Sequence, residues 1–185
     1  MDVNDYLIDH TKLEWHKMLS AWSWLLDDEA EIEPWLMNRF GDLFFLDEDG
    51  AVLWLNVTDG ELSEVAANAD EFFALLESSV DGSDEDEDED DSEDAADFED
   101  EEESDDDAED WFLMGIVDEA VEAGLKLGPG ECLGFKTLPI LGGDYVPENL
   151  YVSTVEKYWS FCGYVHAQID GHPDGAEIEI DLPER

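Results

Sequence analysis

The residues best equipped for chemistry are a cysteine and a histidine four positions apart, Cys162 and His166, in "STVEKYWSFCGYVHAQID". A thiolate beside an imidazole on one helical face is half of a zinc site, but a tetrahedral site needs two more ligands. His10, His16 and His172 do not stand at the spacing of a helical metal pair with a second His or Cys. On a face that also carries Val155, Tyr158, Trp159, Val165 and Ile169, the pair reads as core. We expect no metal and no cofactor.

Two other stretches invite a ligand and then refuse it. In "FLDEDGAVLWLN", placing Gly50 at the sixth position of a calcium loop puts Phe45 first and Asn56 twelfth, where acids are required. Asp47–Gly50 is therefore expected to be a hairpin turn. "LGPGECLGF" lacks the glycine spacing of a dinucleotide loop and the Lys of a P-loop, and G-x-S-x-G occurs nowhere. Cys132 has no histidine near it in sequence and little positive charge to make it a thiolate. The chain is expected not to be an enzyme; no catalytic, cofactor-binding, metal or partner-binding residue is assigned.

The composition that must position these residues is lopsided. Among 185 residues there are 54 Asp and Glu against 7 Lys and Arg, a formal net charge of −47. The run "SDEDEDEDDSEDAADFEDEEESDDDAED", 83–110, holds 21 of those acids and no base, leaving 33 acids against 7 bases elsewhere. Such a surface repels phosphate, which excludes direct nucleic-acid binding and anionic membrane. No apolar run is long enough to span a bilayer and the N-terminus lacks a signal-peptide pattern, so a cytoplasmic location is expected. Cys132 and Cys162 are read as reduced core thiols. Seven Trp, nine Phe and five Tyr supply a core, although the acidic run itself has too few apolar residues to bury and should be an expanded, disordered loop.

The patterning predicts an α+β fold, an antiparallel or mixed sheet with packed helices, interrupted by that loop. Thr11 and Glu14 have capping-box spacing before an amphipathic helix through Trp15, Met18, Leu19, Trp22, Leu25 and Leu26. Pro34 would begin a short helical turn that Gly41 ends. "GDLFFLDEDGAVLWLNVTDGELSEVA" predicts a three-stranded meander. Asn68 and Glu71 cap a helix whose inner face holds Phe72, Phe73 and Leu76. After the acid, Asp107, Glu109 and Asp110 would favour the start of a helix ending at Gly124. Strand, loop and strand follow over "ECLGFKTLPILGGDYVPENLYV"; Ser153 and Glu156 would cap the last helix, and Ala176 to Leu182 alternate as a strand. Residues 1–80 and 111–185 are read as two halves of one domain, with 81–110 as an acidic linker between them.

The runs "FGDLF", "LGPGEC" and "LGGDY", in this order and within residues 20–80 and 111–182, resemble the family named after the C-terminal domain of a type VI secretion immunity protein. The resemblance implies a cytoplasmic, non-enzymatic α+β protein, long catalogued as a domain of unknown function, whose founding member binds a toxic nuclease effector. It implies a cognate toxin as partner, and the acid surplus of this chain suits a basic one, which carboxylates would meet where phosphates otherwise sit. Family members join the halves by a shorter link, so the acidic run reads as an insertion. The alternative is an acidic soluble protein of unknown role whose charge reflects salt adaptation, with the run only a solvating loop. A calcium or polycation sponge is a third reading.

Overall fold

The computed structural model describes residues 3–26, 32–81, 111–173 and 177–182; for 78–81 it describes the backbone alone. Four antiparallel strands in chain order form the main sheet: β1 (Glu33–Met37), β2 (Leu43–Leu46), β3 (Val52–Asn56) and β4 (Glu61–Ala66). A second sheet pairs β5 (Glu131–Phe135) with β6 (Leu150–Thr154). The helices are α1 (Trp15–Ser20), α2 (Ala69–Asp81), α3 (Met114–Glu122) and α4 (Val155–Ile169). The fold class is α+β.

The meander forms where the turn chemistry predicts it. Gly50 and Gly60 take φ of +88° and +77°, which a side chain would resist, and the Asp47 carboxylate accepts the Asp49 and Ala51 amides at 2.9 and 2.8 Å. A fourth strand joins it where a helical turn was expected. Pro34 lies in β1, an outer strand, opposite Phe45 and beside a bulge, where a missing N–H costs least. Prolines start helices or sit on sheet edges, and the apolar run after Pro34 found a sheet to cover.

Three further expectations fail for local reasons. Thr11 cannot cap α1, because its hydroxyl and amide both bond to Asp9 at 2.6 and 3.0 Å; the helix begins at Trp15, and the chain proceeds in turns through Leu25. Ser153 belongs to β6, Thr154 is the N-cap of α4, and no side chain caps that helix. Residues 177–182 form no strand: the Gln168 side chain takes the Asp181 amide and carbonyl at 2.9 and 3.1 Å in place of a ladder. Ala176 and the turn before it, like Asp107, Glu109, Asp110 and the rest of the acidic run, lie outside the described residues. The described start of α3 is Leu113, in the left-handed region at φ 47°, with no acid in the first turn.

At the start of α2 and the end of α3 the expectations hold, and Phe72 and Leu76 are buried, but Phe73 is not on the inner face: it lies exposed with its ring edge-on to Trp35 at 5.4 Å. The Asn68 side chain accepts the Glu71 amide at 3.0 Å while the Glu71 carboxylate takes the Ala67 amide at 2.8 Å. Gly124, with φ +90°, closes α3 through bonds from Gly124 to Val121 and from Leu125 to Ala120.

One aromatic core receives residues from both sides of the acidic run. Phe72 stacks on Trp111 at 5.2 Å and 5°, and Phe44 on Phe112 at 5.5 Å and 21°. Phe40 stacks on Phe135 at 5.4 Å, and Trp22 meets Trp159 edge-on at 6.1 Å. Each ring buried contributes about 1.5–3 kcal/mol from area and each good pair about 1 kcal/mol more, so the two stretches hold one another. All seven tryptophans lie in this core or against it.

Candidate partner-binding surface

The Cys162 and His166 pair and Cys132 are occupied inside the fold. His166 is buried, lies over Gly60, and places Nε2 3.0 Å from the Thr58 carbonyl; burial lowers its pKa. Cys162 and Cys132 are both fully buried, and burial pushes both thiols far up, away from the reactive thiolate. His10 meets the Trp35 carbonyl at 3.1 Å and the Trp15 ring at 5.6 Å, and His172 sits 3.2 Å from the Ile169 carbonyl. His16 is exposed. Among the described residues no three His, Cys, Asp or Glu side chains converge as a metal site. The "LGPGEC" segment turns at Pro129 and Gly130 into β5, the Glu131 carboxylate accepting the Gly128 amide at 2.7 Å.

The "FGDLF" segment is a buried polar joint. Asn38 accepts the Phe40 and Asp42 amides at 2.9 Å each, and its own amide donates to Asp42 at 2.7 Å and to the Trp111 carbonyl at 2.8 Å. Asp42 also accepts the Val57 amide at 2.8 Å. Burial raises its pKa to about 7 against those hydrogen bonds, with Asp59 adding repulsion. Beside it the Trp159 indole donates to the Gly41 carbonyl at 2.7 Å, fixing α4 to the same turn.

The 138–149 loop between β5 and β6 turns outward from this frame. Leu138 anchors it in the core; Pro139–Leu141 and Pro147–Asn149 are single 3-10 turns begun by prolines. Asn149 staples the loop, accepting the Thr137 amide at 3.0 Å and donating to the Thr137 and Asp144 carbonyls at 2.9 Å each. Gly143 permits this closure, since a Cβ there would fall 1.9 Å from the Thr137 carbonyl oxygen. Tyr145 is braced on both sides: its ring meets Phe135 edge-on at 5.0 Å, and its hydroxyl donates to Asp59 at 2.9 Å. Burial and the Asp59 charge push the phenol far up, so it remains a donor.

The loop exposes Ile140, Leu141, Tyr145 and Val146 at 49, 40, 38 and 40 %, four of the nine large exposed hydrophobics among the described residues, within seven positions. Asp144 and Glu148 in the loop and Glu61 on β4 are exposed beside them in sequence or through Asp59. An apolar centre with an acidic surround is the anatomy of a protein–protein contact. Sequence reasoning assigned no partner-binding residue; the available signal was "LPILGGDYV", an apolar run placed in a loop rather than in an element.

The fold and this surface define the chain as an α+β protein with an apolar, acid-rimmed face. Residues 92–166, which include the loop, match the family described as T6SS immunity protein Tdi1, C-terminal. The match covers the part of the chain that carries "LGPGEC" and "LGGDY", and it is to the immunity family that the sequence resembles. No curated protein matches the chain. Among the described residues no helix is long and apolar enough to cross a membrane.

Proposed function

We propose that this chain is a cytoplasmic, non-enzymatic immunity protein that neutralises a cognate toxin by covering its working surface. The 138–149 loop supplies the apolar centre of the contact. The observation that carries this reading is that the family match spans the loop that exposes Ile140, Leu141, Tyr145 and Val146. A basic nuclease fits the rest: its phosphate cleft meets carboxylates instead, and a net charge of −47 accelerates the encounter. Within this reading, the halves 1–80 and 111–185 act as one domain and the acidic run adds long-range attraction.

The test is co-expression with a basic toxin encoded beside this chain. The wild type should restore growth, and Ile140→Asp with Leu141→Asp should abolish both rescue and co-purification while the melting temperature stays unchanged. Rescue by the double variant at wild-type level would refute the loop as the contact. Salt adaptation is favoured by the 33 acids against 7 bases that remain outside the run. It predicts a melting temperature that climbs steeply toward molar KCl and no protection against any toxin.

A further inference from the structure

We propose that the open edge of β6, with the groove between it and α4, takes up an extended, acidic segment of a partner protein as an added strand. This inference stands apart from the toxin reading and uses other exposed residues.

The alternation of the β5–β6 ladder supplies the first observation. The Leu133 amide bonds to the Arg39 carbonyl at 2.7 Å, away from β6, so Leu133 and its partner Val152 form a non-hydrogen-bonded pair. Val152 therefore points both its amide and its carbonyl outward, and no described residue answers either. Proteins usually blunt such an edge with charge, as β4 does with Glu61 and Glu64 on the other sheet. The β6 sequence, "LYVST", contains none.

The second observation is a groove of about 860 Å³ alongside, walled by Val152 and Ser153 from β6, Phe161 and Tyr164 from α4, and Lys17 and Lys157. Its bases number two against two acids, Glu131 and Glu156, whereas the chain as a whole carries 7 against 54. Glu131 is already engaged by the Gly128 amide. Both lysines are exposed, and among the described residues neither forms an ion pair. In so acidic a protein, unpaired ammonium groups beside an open strand select carboxylates on the occupant. The acid surplus elsewhere repels such a segment at long range, but screening confines that repulsion to about 8 Å at physiological salt, leaving the lysines to set the local field. Tyr164, exposed at 46 %, offers a ring to the apolar side chains that alternate with the acids.

The experiment titrates the full chain into a fluorescein-labelled, end-blocked heptapeptide of alternating valine and glutamate, read by anisotropy at physiological salt. A valine–lysine peptide serves as control. The glutamate peptide should bind saturably and at least ~10-fold more tightly than the lysine peptide. Lys17→Glu with Lys157→Glu, both exposed, should cost ~10-fold or more. Val152→Pro, which removes an outward N–H that an edge strand can spare, should abolish binding with the thermal transition retained. Equal binding of the two peptides, unchanged affinity in the lysine double variant, or no saturable binding of the glutamate peptide would each overturn the proposal.

Discussion

Asn38 and Trp111 stand 73 positions apart and are joined by a buried 2.8 Å hydrogen bond, from the Asn38 amide to the Trp111 carbonyl. It is a direct polar tie across the acidic run. Around it Asn38 satisfies the Phe40 and Asp42 amides as well. Asn38→Ala strands those groups in a dry site, and each unsatisfied group costs about 1–3 kcal/mol. We expect a loss of about 3 kcal/mol or more in urea denaturation, placing this variant among the severe ones. A loss below 1 kcal/mol would mean that water enters the joint and the tie is dispensable.

Asp42 should give stability an inverted pH dependence. Its pKa is raised by burial from the ordinary 3.8 to about 7, so between those values the folded protein holds a proton that the unfolded chain releases. Stability from this group is full below the lower value and declines as pH rises through the upper one, by on the order of 4 kcal/mol in all. His166, whose pKa burial lowers, acts the opposite way: its contribution is present above about 6.5 and is lost as pH falls. The Asp42 decline therefore runs from about pH 4 to about pH 7 and is spent above that, while His166 opposes it only as pH falls below about 6.5. Asp42→Asn should flatten it, as free energies from urea titrations at half-unit steps will reveal; parallel slopes in the two proteins would assign the decline elsewhere.

A methyl group on α4 tests how closely that helix is seated. A Cβ at Gly163 would lie 2.5 Å from the Ala21 carbonyl oxygen, a backbone atom with no rotamer to yield. Helix propensity favours alanine over glycine by about 1 kcal/mol, but overpacking costs about 1–3 kcal/mol, so the clash prevails and Gly163→Ala should lower the melting temperature. Gly115 on α3 meets nothing within 4 Å, and Gly115→Ala should raise it. A rise in both would show that α4 can lift from the α1 turns freely.

The acidic run should be separable from the fold. Removing 84–107 deletes none of the described core residues, and the contacts of Phe44 and Phe72 with Trp111 and Phe112 remain available. Single-transition unfolding should persist in calorimetry, with stability equal or higher because self-repulsion falls. Two transitions, or none, would show that the run organises the halves.

Much of this fold was legible because its signals are local. Asp47 to Gly50, the Asn68 and Glu71 cap and the Gly124 stop each depend on residues within five positions, and each formed. The misreadings share another origin. Pro34 suits a helix start and an outer strand equally, and the choice was made by Phe44 and Phe45 across the sheet. The residues after Ala176 alternate as a strand does, yet with no neighbour offering a ladder they take a side chain, Gln168, instead. The exposed loop was hidden for a different reason: Ile140 and Leu141 look like core residues in sequence, and only the closure by Asn149 and Gly143 turns them out.

The sheet from β1 to β4 is assembled from consecutive hairpins, so it can close as soon as it leaves the ribosome. Its aromatic face has no such autonomy, because Trp111 and Phe112, which roof Phe72 and Phe44, are translated only after the whole acidic run. At about 5–20 residues per second, the nascent protein carries a bare greasy face for a few seconds, and during that wait the charges just synthesised are what keep neighbouring chains apart.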